Sequence, residues 1–244
     1  MIIWICMNLQ AEVILVMGDV RNSRNIDDFP AVSDILRSCL STINRVFDAD
    51  IASNFALEQG DQIEGVLYKA DSLFLILEQI QRSIYPHRLR FSISVGNIVG
   101  AINKTSPFSS NSLSWQASRD LLEGLEKDET KHNVENNMCF WWKCRDKEDD
   151  LVLNNTKELF NLASRIRGKW SPNQEELFSA LMVRTQMSDA YSLKEAAKTL
   201  SQGFRTIYLS NLSRSINHYG YLDYLRGLKQ IEDNFKWYLS KHEF

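Results

Sequence analysis

The sequence predicts an α+β chain, with an α/β unit over residues 1–150 and a small all-α domain over 151–244. Two patterns predict it. Short β-branched or alternating apolar stretches alternate with stretches of three- and four-residue apolar spacing in the first part, whereas the second part carries helical spacing alone. The charge also changes: residues 1–156 hold 15 Lys and Arg against 22 Asp and Glu, and residues 157–244 hold 13 against 9. An acidic front and a mildly basic tail suggest two modules with different partners.

Glu12 to Met17 contains "VILVM", a buried-strand pattern that ends at Gly18-Asp19. The polar "RNSRNIDD" follows as a loop, with Asp28 placed to cap a helix ahead of Phe29 and Pro30. From Phe29 to Phe47 the apolar positions Val32, Ile35, Leu36, Cys39, Leu40, Ile43 and Val46 mark one helix face. "LEQGDQIEGVLY" reads as two strands about a Gly-Asp turn, within a hairpin from about Ile51 to Lys69. A second helix from about Asp71 to Tyr85 is stopped by Pro86. In "LRFSISVGNIV" Leu89, Phe91, Ile93 and Val95 alternate inward, with Arg90, Ser92 and Ser94 outward. A third helix around Leu113 to Leu125, a charged connector and the strand "MCFWWKC" complete a β-α-β-β-α-β-α-β order. Beyond Asp150 the pattern is helical, broken at "GKWSPNQ" and "NHYGY".

The 244 residues are 44% apolar and 24% charged, an ordinary globular composition. No apolar run approaches the roughly 20 residues that span a bilayer, so no membrane partner is expected. The start "MIIWICMNLQ" lacks a basic flank and a small-residue cleavage site, so a signal peptide is not expected either. Cys6, Cys39, Cys139 and Cys144 form no C-x-x-C pair, which points to reduced thiols in a cytoplasmic protein rather than to zinc or a disulfide framework.

Asp19 at a strand end and Asp61 at a hairpin tip are the candidate chemistry. In a β-α-β-β sheet the first strand lies beside the hairpin, so the two carboxylates can converge. Hard cations such as Mg²⁺ favour oxygen pairs of this kind, with water or substrate phosphate as the other ligands. Taken singly, each aspartate is also what a tight turn selects. Arg24 and Arg119 suit phosphate as planar donors and equally suit surface ion pairs. Ser23 is placed to cap the following turn or to touch a phosphate.

The order "VILVMGDV", "LEQGDQIEGVLY", "LRFSISVG" resembles the core of class III nucleotidyl cyclases, with Asp19 and Asp61 at the metal-ligand positions and Arg90 to Gly96 as the later strand. A closer resemblance is to the SatD family: "GDxxxSR" at Gly18 to Arg24, "GDxxxG" at Gly60 to Gly65, and "AxR" at Ala117 to Arg119. The resemblance implies a nucleotidyl cyclase-like (ferredoxin-like βαββαβ) domain and a C-terminal helix-turn-helix. Where cyclases carry a base-selecting Lys this chain has Leu57, and where they carry a transition-state Asn it has Trp115. Without those polar donors the resemblance implies a catalytically degenerate domain that still binds a metal, a nucleotide or another phosphorylated small molecule.

The stretch "SLKEAAKTLSQGFRTIYLSNLSRSINHYG" has helix-turn-helix spacing through Ala197, Ser201 and Ile207, with Leu200 and Leu212 as further core positions. A recognition helix from Phe204 to Asn217 would present Arg205, Tyr208, Asn211 and Arg214 to DNA, with Lys194 and Lys198 as backbone contacts. The same spacing also builds a plain helical bundle. Tyr221, Leu222, Leu225, Leu228, Ile231 and Phe235 then either pack that bundle or form a homodimer seam. The expectation is a cytoplasmic regulator that senses a ligand and contacts DNA. Its alternatives are an Mg²⁺-dependent phosphoryl or nucleotidyl transferase acting through Asp19 and Asp61, and a dimerising scaffold.

Overall fold

The computed structural model describes residues 12–58, 60–97, 102–105, 113–132, 137–184, 198 and 209–242. Five strands form one sheet: β1 (Glu12–Val20), β2 (Ile51–Glu58), β3 (Gln62–Leu67), β4 (Leu89–Asn97) and β5 (Met138–Trp142). The order is β2-β3-β1-β4-β5, antiparallel throughout except for the β4–β5 pair. The hairpin strand β3 does lie beside β1, and α-helical crossovers make the remaining connections.

Two helices cover one sheet face, α1 (Phe29–Val46) and α2 (Leu73–Ser83). Asp28 caps α1 by accepting from the Ala31 N–H at 3.3 Å, with Pro30 in the first turn. The face that α1 buries is Val32, Leu36, Leu40 and Ile43, which meets Ile14, Val16 and Val20 of β1 in a single core. Ile35 and Val46, which share the apolar spacing of that helix, are exposed. Their period drifts off the buried stripe.

The second sheet face is not open to water. The helix α3 (Leu113–His132) lies across it and packs Trp115 among Val13, Leu15, Met17, Ala52 and Val66. Ser92 and Ser94, which alternation places outward, are therefore buried. Ser94 Oγ donates to the Ser114 carbonyl at 3.1 Å and shares a 2.7 Å hydrogen bond with Ser118 Oγ. Strand periodicity distinguishes two faces but not which of them meets solvent; a helix supplied from later in the chain decides that. The charged segment from Glu126 onward, expected as a connector, continues α3 to His132 because Glu and Lys are good helix formers.

Among the described residues four further helices are bounded: α4 (Lys147–Arg167), α5 (Pro172–Arg184), α6 (Leu209–His218) and α7 (Tyr221–Lys241). They do not build a detached core. Phe140 and Trp142 of β5 stack edge-on against Phe160 of α4 and Phe235 of α7, with centroids 5.2 to 6.0 Å apart, so the core runs unbroken from Ile14 to Tyr238. The α7 stripe of Tyr221, Leu225, Leu228, Ile231 and Phe235 is buried inside the chain itself, so it forms bundle core rather than a dimer seam. At the far end of α7, Lys241 and His242 reach Asp149, and Arg145 bridges to Glu12 at the start of β1.

A buried guanidinium ties the two halves together. Arg167, at the end of α4, pairs with Glu78 of α2 at 2.8 Å and Glu175 of α5 at 2.5 Å, and donates to the Tyr224 hydroxyl of α7 at 2.8 Å. Arg88 adds a second contact to Glu175 at 2.9 Å. The two carboxylates hold the Arg167 charge on although its side chain is largely removed from water. Arg167→Met strands Glu78 in the core, leaves Glu175 with Arg88 alone, and should lower the unfolding free energy by about 3–5 kcal/mol. Adding Glu78→Leu and Glu175→Leu should restore much of that loss. Denaturant titrations of the single and triple variants check both outcomes.

Candidate functional site

Both Gly-Asp corners owe their glycines to geometry. Gly18 faces Phe91 across the β1–β4 pair, and a Cβ there would fall 2.8 Å from the ring. Gly60 has φ +91°, a conformation side chains rarely adopt, and so makes the hairpin tip. These constraints place the aspartate after each glycine at the same end of the sheet.

Each carboxylate then has a partner of its own. Asp19 lies opposite Arg90 in the β1–β4 register and is gripped by its fork, Nε to Oδ1 at 3.0 Å and Nη2 to Oδ2 at 2.9 Å. Arg90 is nearly fully buried and also reaches Glu126 of α3 at 3.7 Å. Asp61 accepts from Ser23 Oγ at 2.7 Å, while its carbonyl accepts from the Val20 N–H at 3.2 Å. Ser33 Oγ donates to the Gly60 carbonyl at 3.0 Å. The loop after β1 is thus stitched to the hairpin tip. Burial pushes the Asp19 pKa up, against the pull of Arg90, and repulsion from Glu126 and Asp61 adds to the rise. The two aspartates therefore share one electrostatic neighbourhood.

Ser23 does not cap the turn that follows it and instead holds Asp61. Arg24 follows it in a single 3-10 turn (Ser23–Asn25) and is exposed, with no ion pair to a described residue. Arg119 is exposed on α3 and lines a pocket of about 280 Å³ between that helix and the sheet. Asp19, Gln62, Glu64, Glu123 and Glu126 share the lining, with Met17 and Leu122 as its apolar wall.

Glu64 is the residue that sequence reasoning passed over. It is only 2% exposed, its Oε2 has no hydrogen-bond partner among the described residues, and burial together with the Glu58 charge pushes its pKa up to about 7. The available signal was a glutamate between apolar neighbours in "QIEGVL", on a strand whose inner positions should be apolar. Arg90 was legible only as an outward strand position. Among the described residues no group of three or more His, Cys, Asp or Glu side chains could hold a metal ion.

Of the residues expected to read DNA, Arg214 is exposed on α6, where Leu212 and Ile216 are buried. Asn211 lies in the same helix. Arg205 and Tyr208 fall outside the described residues, as do Ala197, Ser201 and Ile207. Lys198 is exposed and helical. Among the described residues no helix is long and apolar enough to cross a membrane.

These features define an α+β protein whose sheet carries a polar pocket at one end, between two Gly-Asp corners and a covering helix. The SatD family model matches residues 13–233, and the chain belongs to the SatD family. No curated protein and no solved structure matches the chain.

Two buried carboxyls give this protein a pH-dependent stability. Glu64 titrates near 7, and Glu232 of α7, which accepts from the Phe74 N–H at 3.4 Å, is pushed by burial to about 8. The folded chain thus holds protons that the unfolded chain has released at about pH 4.3. Their contribution is complete below that value and is lost as pH rises through about 7 and about 8. The denaturation midpoint should fall from pH 5 to pH 8 by about the same course, and Glu232→Gln should flatten the upper part of the slope.

Proposed function

We propose that this SatD-family chain is a regulatory protein. Its α/β unit, built like a catalytically degenerate nucleotidyl cyclase domain, binds a metal-bound or phosphorylated small molecule, and its C-terminal helices contact DNA. The observation that carries the ligand half is the pocket between sheet and α3, where Asp19, Arg119 and the unpartnered Glu64 meet.

Binding without cyclisation is favoured by two apolar replacements. Trp115, at the position of the cyclase asparagine, is buried in the second-face core, and Leu57 packs against the first. Leu57 has no polar group to offer a developing negative charge, and the Trp115 ring is taken into the core. Asp19 and Asp61 suit Mg²⁺ as a pair of hard oxygen donors, and a cation there would relieve their mutual repulsion. Among the described residues no group of three or more such side chains could hold a metal, so an ion on the aspartate pair would take its remaining ligands from water and from the bound molecule. Ser23, Arg24 and Arg119 flank that end of the sheet as partners for phosphate.

The DNA half rests on the helix-turn-helix spacing and on α6, which buries Leu212 and Ile216 and leaves Arg214 exposed. Two measurements test the proposal. Mg²⁺ with nucleotides should raise the thermal midpoint of the wild type, and Asp61→Ala should abolish the rise while leaving the circular dichroism spectrum unchanged; a rise that survives Asp61→Ala rejects the aspartate site. DNA affinity should fall steeply with salt, and Arg214→Ala should reduce the slope of log K against log salt by about one. A slope near zero in the wild type rejects the DNA half.

A further inference from the structure

Glu64 sits on the α3-facing side of β3, between Gln62 and Val66, opposite Met17 of β1 and Ala56 of β2. A Leu or Val would fill that place and complete the second-face core. The chain instead keeps a carboxyl that is 2% exposed with one oxygen, Oε2, unpartnered among the described residues. An unmet buried acceptor is destabilising, and native proteins retain few of them without a use. The oxygen belongs to a side chain lining the 280 Å³ pocket.

The nearby charges indicate what would meet it. Arg90 is committed to Asp19 and Glu126. Four carboxylates (Asp19, Glu64, Glu123 and Glu126) line the pocket against one guanidinium, that of Arg119. Arg119 attracts Glu64 electrostatically but makes no ion pair with it, and Glu58 adds a further negative charge. The pocket wall is therefore short of positive charge and of N–H donors at the point where a buried acceptor is free.

We propose that Glu64 receives the nitrogenous end of the pocket's ligand, a small molecule that presents N–H donors and positive charge there, of ammonium, amidinium or guanidinium type. The proposal takes from the functional reading only the location of the ligand site, and needs neither the aspartate-held metal nor DNA binding. A carboxylate accepts two parallel N–H bonds from a planar amidinium or guanidinium, or one from an ammonium. Binding leaves Glu64 ionised, so a proton held on its carboxyl passes to solvent as the cation enters. Arg119, exposed at the rim, is left for an anionic group elsewhere on the same ligand.

Calorimetry and thermal unfolding of the full chain with methylguanidinium, methylammonium and tetramethylammonium test this directly. The first two should bind saturably, and tetramethylammonium, equal in charge but without N–H donors, should not. A stronger response to methylguanidinium identifies the planar type, and a stronger response to methylammonium the alkylammonium type. Glu64→Gln should weaken the N–H cation about tenfold or more and fold at least as stably as the wild type at pH 8. Arg119→Gln, which removes a competing charge, should tighten it. Equal binding of all three cations, no binding of any, undiminished binding in Glu64→Gln, or weaker binding in Arg119→Gln would each overturn the proposal. The wild-type comparison needs no variant, so it stands even if Glu64→Gln fails to fold. Mg²⁺-nucleotide stabilisation that depends on Asp61 but occurs without any response to N–H cations sinks this proposal alone and leaves the functional reading intact.

Discussion

The Arg167 guanidinium is the constraint on which the architecture turns. A buried positive charge is tolerated only where carboxylates and hydroxyls surround it, and those around Arg167 come from three different helices. Once Glu78, Glu175 and Tyr224 converge on one residue of α4, the relative positions of α2, α4, α5 and α7 are set. The apolar core then fills the space between them. This is why helices read from the sequence as a separate all-α domain share one continuous core with the sheet.

The same logic operates at smaller scale at the strand end. Asp19 is fixed by Arg90, Asp61 by Ser23, and the loop between them by the Val20 and Asp61 backbone bond. Glu64 keeps an oxygen without a hydrogen-bond partner among the described residues. The cyclase-like arrangement proposed for this region accounts for the aspartates, whereas Glu64 stands at an unspecified position of GDxxxG and is identified only by its surroundings. Trp115 shows the converse: a residue that the cyclase resemblance singles out and that the fold buries in its second-face core.

How much of this was legible in the sequence follows from which forces are local. The eight-element order, the Asp28 cap and the hairpin turn depend on neighbours a few residues away, and the residues announce them. The Gly18 and Gly60 corners were visible for the same reason. Burial of Ser92 and Ser94 was not, because it depends on α3, some 20 residues later. Arg90 looked outward until Asp19 appeared beside it, 71 positions earlier in the chain. The α7 stripe had two readings, and only the positions of Phe140 and Trp142 decide that it faces inward.

The edge strand β5 gains its cover from Phe235 and Tyr238, and Glu12 at the start of β1 is joined through Arg145 to the cluster where Lys241 and His242 end α7. One helix therefore seals the sheet at two distant points. Any opening that lifts α7 away uncovers Phe140 and Trp142 together, a bare aromatic flank beside an unpaired strand edge, which is the kind of surface on which partly folded chains associate.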